Sequence, residues 1–180
     1  LMDLIQVDMM PYDHYRSKTN MASMDPQSFY GMVSMGFHYQ YMQNSIQVNN
    51  GITNDGRPIF SNVARLTGIA TTDWSWAPLF ADFDNDGLKD IVINNGMRLD
   101  VNNNDLLTRE NSTSIVPEKI DMNQAPSTPI QNFVFRNKGD YEFEDVSKKW
   151  NINSKGFSNG IAYGDLDNDG DLDMVINNID

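Results

Sequence analysis

Two stretches of this chain carry residues whose type and spacing could do chemistry. They read Asp82-Phe83-Asp84-Asn85-Asp86-Gly87-Leu88-Lys89-Asp90 and Asp165-Leu166-Asp167-Asn168-Asp169-Gly170-Asp171-Leu172-Asp173. Each has aspartate at loop positions 1, 3, 5 and 9 and glycine at position 6. Hard oxygen donors at that spacing can converge on one centre, which is what Ca²⁺ requires. In a tightly wound segment Asp82, Asp84 and Asp86 turn to a common point, and Gly87 permits the sharp turn. Leu88 offers its backbone carbonyl, and Asp90 closes the shell. The same roles fall to Asp165, Asp167, Asp169, the carbonyl of Asp171, and Asp173. Carboxylates packed this closely repel one another unless a cation sits among them, so each loop is expected to be ordered only when loaded. An EF-hand would need glutamate at position 12, where this chain has Ile93 and Ile176. An ordinary Asp/Asn/Gly-rich turn could explain one copy; two matching copies favour a metal.

The elements that position these loops also repeat. Asp82 and Asp165 are separated by 83 residues, and other positions keep that offset. Phe60 and Val63 map onto Phe143 and Val146, Ile69 onto Ile152, and Trp74-Ser75 onto Phe157-Ser158. Each loop runs into a short apolar segment ending in asparagines, Ile91-Val92-Ile93-Asn94-Asn95 and Met174-Val175-Ile176-Asn177-Asn178. Upstream, the segment ending Asn49-Asn50-Gly51 matches the one ending Asn137-Lys138-Gly139. Leu1 to Ile5 matches Leu88 to Val92, so Asp3 takes position 9 of a third loop whose other positions would precede residue 1. A long fixed period means stacked or radially arranged units. Strands are expected near 76–82, 90–94, 132–136 and 142–146.

The segment from Thr72-Asp73-Trp74-Ser75-Trp76 through Asp82 to Asn95-Gly96 resembles the FG-GAP/VCBS repeat family. Arg136-Asn137-Lys138-Gly139 and Gly164-Asp165-Leu166-Asp167-Asn168-Asp169-Gly170 share the resemblance, which is closest to its bacterial branch found beside ASPIC/UnbV domains. It implies an all-β, integrin-α-like β-propeller of four-stranded antiparallel blades. It also implies that the calcium loop joins the first two strands of a blade. On that reading residues 71–150 form a complete blade, 1–70 end the preceding one, and 151–180 open the next. A closed propeller needs about 4–8 blades, so the chain is expected to be a fragment of a larger one.

Two insertions interrupt the repeat between its second and third strands, at 10–44 and 97–131. In the first, Asp25-Pro26 suggests an N-cap and first helical residue, and apolar residues through Met35 follow near helical spacing. Met21, Met24, Met32, Met35 and Met42 cluster there. Met-rich surfaces can bind partners adaptably, but packing of the helix on its own blade is the preferred expectation. The second insertion reads as a loop with one helical turn near Leu106-Leu107, and it contains an acceptor triplet for N-glycosylation, Asn111-Ser112-Thr113. Trp74 and Trp150 read as packing positions, whereas Trp76 is the better candidate for exposure and for stacking on a sugar.

The net charge is −12, with 13 basic and 25 acidic residues. No basic stripe exists to meet phosphates, which argues against nucleic acid as a partner. Cysteine is absent, so disulfides say nothing about compartment. No apolar run approaches the ~18 residues of a membrane-spanning helix. The histidines, His14 and His38, have no evident partner, and neither a nucleophile elbow nor a phosphate loop is present. The sequence therefore points to a non-enzymatic, calcium-binding repeat module. It is expected to be extracellular or at a bacterial cell surface, associated with the outer membrane, and to present its insertions to a protein or glycan. Two alternatives are the scaffold of a calcium-dependent polysaccharide-degrading enzyme and a structural subunit of an outer-membrane assembly.

Overall fold

The computed structural model describes residues 2–20, 26–105 and 125–179. Its elements, in chain order, are β1 (Leu4–Gln6), α1 (His14–Thr19), α2 (Pro26–Ser34), β2 (Ser45–Ile52), β3 (Pro58–Asn62), β4 (Ser75–Ala81), β5 (Asp90–Asn95), β6 (Ile130–Gln131), β7 (Phe133–Asn137), β8 (Phe143–Asp145), β9 (Lys155–Gly156), β10 (Ser158–Gly164) and β11 (Asp173–Asn178). The strands form four open sheets ordered β1-β2-β3, β4-β5-β7-β8, β6-β9 and β10-β11. Every pairing is antiparallel. This is an all-β, propeller-like arrangement, and the sheets do not close into a ring among the described residues. No helix of the described residues is long and apolar enough to cross a membrane.

β5 explains how the sheets stack. Its run of Ile91, Val92 and Ile93 is apolar without alternation, the mark of a strand covered on both faces. All six of its residues are buried. Ile91 and Ile93 pack with Phe133 and Phe135 against Ile46, Ala64 and Ile69 of the preceding sheet and its connection. Val92 faces the other way, joining Val134 and Val146, with Ile161 and Met174 of the β10-β11 hairpin lying over them. The four-stranded sheet is thus sandwiched between its neighbours, with an apolar seam on each face.

The sequence repeat is a repeat of hydrogen bonds. Ser75 Oγ donates to Asn95 Oδ1 at 2.6 Å, and Ser158 Oγ donates to Asn178 Oδ1 at 2.6 Å. The pairing slips by one residue at Trp76 and again at Asn159, a bulge that kinks the opening strand of each hairpin. Gly51 N donates to Asn49 Oδ1 and Gly139 N to Asn137 Oδ1, both at 2.9 Å. Gly96 N donates to Trp74 O, and Ile179 N donates to Phe157 O. Gly96 also lies where a Cβ would come within 2.6 Å of Phe157 Cα, so the connection after β5 passes directly against β10.

The insertions depart in part from expectation. α2 starts at Pro26 as anticipated, but none of its residues is buried, so it does not sink into the strands. Phe29 packs instead on Tyr30, Tyr39 and Tyr41, with ring centroids 5.3–6.0 Å apart. A nine-residue helix with so few apolar positions offers too narrow a stripe to bury against a sheet. Met32 and Met35 are exposed and Met42 is half-buried. α1 was not anticipated; Asp13 caps it, its side chain accepting from Arg16 N. The cap at Asp25, together with Met21, Met24, Leu106, Leu107 and the 111–113 triplet, lies outside the described residues.

Candidate metal centres

The first loop connects β4 to β5, and its winding follows from its residues. Asn85 and Gly87 both take the left-handed conformation, φ 57° and 88°, which asparagine and glycine tolerate best. Asp82 accepts from Asp86 N at 3.1 Å through Oδ1 and from Gly87 N at 2.9 Å through Oδ2. Asp86 Oδ1 accepts from Leu88 N at 2.9 Å. The outcome is that Asp82, Asp84 and Asp86 each bring one oxygen within 4.8 Å of the others. Oxygens that bind one Ca²⁺ at about 2.3–2.6 Å cannot be much more than about 5 Å apart. The cluster meets that limit, and its donors are all carboxylate oxygens. Asp84 Oδ1 is moreover buried without a hydrogen-bond partner, an oxygen that a cation would satisfy. The residues fit calcium.

The second loop, between β10 and β11, repeats the winding. Asn168 and Gly170 have φ 62° and 95°. Asp165 accepts from Asp169 N at 3.2 Å and from Gly170 N at 3.1 Å, and Asp169 accepts from Asp171 N at 2.9 Å. Here the oxygens gathered within 4.8 Å come from Asp165, Asp167 and Asp173.

Position 9 differs between the copies. Asp90 is fully buried. Its Oδ2 accepts from Phe83 N at 3.1 Å and its Oδ1 from Asn137 N at 2.9 Å. It stands outside the three-oxygen cluster and braces the loop against β7. Burial pushes its carboxyl above the usual range, and the two backbone donors work against that shift. Among the described residues Asp173 makes only the equivalent of the first bond, accepting from Leu166 N at 2.9 Å, and its carboxylate is exposed. Asp3 joins neither cluster; its Oδ1 accepts from Asn49 N at 2.9 Å, repeating the bond between Asp90 and Asn137. Leu88 and Asp171, expected as carbonyl donors, sit at the turn after glycine. The Asp171 side chain accepts from Asn85 Nδ2 at 2.6 Å, so the two loops touch.

Two arginines escaped the reading of spacing. Arg136 of β7 reaches the first loop, its Nε 2.5 Å from Asp84 Oδ2 and its Nη2 2.9 Å from Asp86 Oδ2. The N–H of Leu88, then Arg136, hold Asp86 below the usual carboxylate range against its desolvation. Its place directly before the repeated Asn137 was the only hint, since Asn137 is bonded to Asp90. Arg16 of α1 is mostly buried between two carboxylates. It donates to Asp73 through Nε at 2.9 Å and Nη2 at 3.1 Å, and to Asp100 through Nη1 at 3.1 Å and Nη2 at 3.2 Å. Burial opposes the charge, but the two carboxylates outweigh it and raise the Arg16 pKa. Thr128 Oγ1 adds a bond to Asp100 at 2.7 Å. Arg16 thereby ties the first insertion to the second, a pairing of distant residues with no local signal.

Trp76 is 48% exposed, and its Nε1 donates to Gly96 O at 2.7 Å. Trp74 is half-buried, and Trp150 packs on the seam beneath β7. His38 lines an open cleft of about 440 Å³ with Phe29, Tyr30, Met32, Tyr41 and Met42. The family model of the FG-GAP-like repeat matches residues 35–93 and 105–176. No curated protein matches the chain.

Proposed function

The chain belongs to the FG-GAP-like repeat family, and from that premise we propose that it is a calcium-stabilised propeller segment serving as a non-enzymatic binding scaffold. Each sheet would be part of a blade: residues 71–150 one blade, 1–70 the end of the previous one, and 151–180 the start of the next. Asp82, Asp84 and Asp86 would hold one Ca²⁺, with Asp90 and the Leu88 carbonyl completing or bracing the shell. Asp165, Asp167 and Asp173 would hold another, with Asp169 and the Asp171 carbonyl beside them. The bound ion neutralises clustered carboxylates and fixes the hairpin turn. The observation that carries this reading is the pair of loops whose carboxylate oxygens converge within 4.8 Å at equivalent places of a repeated hairpin.

The scaffold would act outside the cell or at its surface. Modules of this kind bind calcium at roughly 10⁻⁴–10⁻³ M, which extracellular calcium saturates. Its insertions would meet a protein or glycan, since long loops on a rigid frame are where recognition concentrates. Tyr30 and Met32 of α2, and Met35 just after it, are 65%, 42% and 77% exposed, which supports that assignment. An enzyme acting on acidic sugars would need a basic group free beside the metal. The guanidinium of Arg136 is beside it but is turned onto Asp84 and Asp86, which favours the scaffold.

The test is thermal melting of the intact protein in saturating calcium and in excess chelator. Saturation at 100 times the dissociation constant adds about 2.7 kcal/mol per site. The midpoint should fall in chelator and return with calcium but not with magnesium. An unmoved midpoint would leave the aspartates as ordinary turn residues.

A further inference from the structure

The two loops agree in backbone and differ in counter-ion. Arg136, opposite Glu144 across β7 and β8, directs its guanidinium at Asp84 and Asp86. Its Nε makes no hydrogen bond despite lying 2.5 Å from Asp84 Oδ2, and the neighbouring Asp84 Oδ1 is also without a partner. Its Nη2 donates to Asp86 Oδ2 at 2.9 Å, so the guanidinium offsets part of this loop's negative charge while Nε and Asp84 Oδ1 stay unsatisfied. Among the described residues no lysine or arginine pairs with Asp165, Asp167, Asp169 or Asp173.

We propose that Arg136 is the resident counter-ion of the 82–90 loop and makes the two sites unequal. A divalent cation enters the 165–173 loop first, and enters the 82–90 loop only as the guanidinium leaves Asp84 and Asp86. This inference rests on the calcium reading above. A guanidinium and a metal ion compete for the same carboxylates, and two cations so close repel each other. Binding at the first loop therefore includes breaking two ion pairs, a cost the second loop does not have. Arg136 is 28% exposed, so water screens both pairs. The handicap is expected to be modest, roughly three- to tenfold in the calcium dissociation constant.

Replacing Arg136 should act with opposite sign in the two states. Without calcium the first loop loses its counter-ion and loosens. With calcium it loses a competitor and binds more tightly. An arginine that only supported the fold would weaken both states.

Calorimetric titration of the intact protein with calcium tests this. Asp167→Ala leaves the first loop to be measured, and Asp84→Ala leaves the second. Adding Arg136→Gln should tighten the first loop three- to tenfold, leave the second unmoved, and lower the melting midpoint in chelator. Arg136→Lys keeps the charge and loses the fork, so it should stay near the parent. An unchanged or weakened first loop in Arg136→Gln overturns the proposal, as does equal tightening by lysine and glutamine. If the unsubstituted protein takes up no calcium, the calcium reading falls and this inference with it. If it binds two ions and Arg136→Gln changes neither affinity, only this inference falls.

Discussion

Asn85 Nδ2 donates to Asp171 Oδ1 at 2.6 Å, joining the turn of one aspartate loop to the turn of the other. Asn85 is held in the left-handed region at φ 57°, so the loop that aims its side chain is the loop that gathers Asp82, Asp84 and Asp86. Phe83 and Tyr163 meet edge to face beside it, ring centroids 6.0 Å apart. Ordering one loop therefore helps to order the other.

That contact predicts coupling between the sites. In the intact protein, calcium at the second loop should tighten the first by roughly fivefold or less, and the reverse effect must be equal. Asn85→Gly tolerates the backbone conformation and removes the bond. Two-site calorimetry should then give independent affinities. Coupling that persists in Asn85→Gly would assign it to the packing of Phe83 on Tyr163 instead.

Removal of Arg16 should be among the costliest single changes. Arg16→Met strands the carboxylates of Asp73 and Asp100, which are 1% and 4% exposed. Breaking a buried pair from one side costs about 3–5 kcal/mol. Adding Asp100→Asn to Arg16→Met should recover part of the loss, because it removes one of the two stranded charges. Denaturant midpoints read both, and a loss below about 1 kcal/mol would show that the triad is open to water.

Two glycines should behave differently on replacement by alanine. At Gly96, φ is 132° and an added Cβ would lie 2.6 Å from Phe157 Cα and 2.8 Å from Gly156 O. Backbone must move, so Gly96→Ala should destabilise by about 2 kcal/mol or more. At Gly160 the nearest atom to an added Cβ is 3.7 Å away, and Gly160→Ala should stay within about 0.5 kcal/mol of the parent. Melting curves of the two variants side by side decide this.

Equivalent valines should also have unequal weight. Val92 is 0% exposed in the seam with Val134 and Val146, while Val175 at the same place in the repeat is 55% exposed. Val92→Ala should cost about 2 kcal/mol, from two methyl groups and the space they leave. Val175→Ala should cost less than about 0.5 kcal/mol. Similar losses would mean that something covers β11 in solution.

Much of the fold was legible because the repeat writes its local chemistry twice. Aspartate spacing, left-handed asparagine and glycine, and the apolar run after each loop depend on neighbours within a few residues, so 82–95 and 165–178 announce the same loop and strand. The expected strands at 76–82, 90–94, 132–136 and 142–146 run at 75–81, 90–95, 133–137 and 143–145. The bonds from Gly51 N to Asn49 and from Gly139 N to Asn137 follow from the same locality.

What only the tertiary structure decided are the relations between distant segments. Arg136 reaches Asp84 and Asp86 because β7 pairs with β5, across 50 residues of sequence. Arg16 reaches Asp73 and Asp100 because the first insertion folds against both the segment before β4 and the second insertion. Asp90 and Asp173 hold the same position in the repeat, yet one is buried beside β7 and the other is exposed. Residue type and spacing determine which oxygens can converge. Burial, counter-ions and contact between loops depend on which strand lies alongside, and no local pattern encodes that.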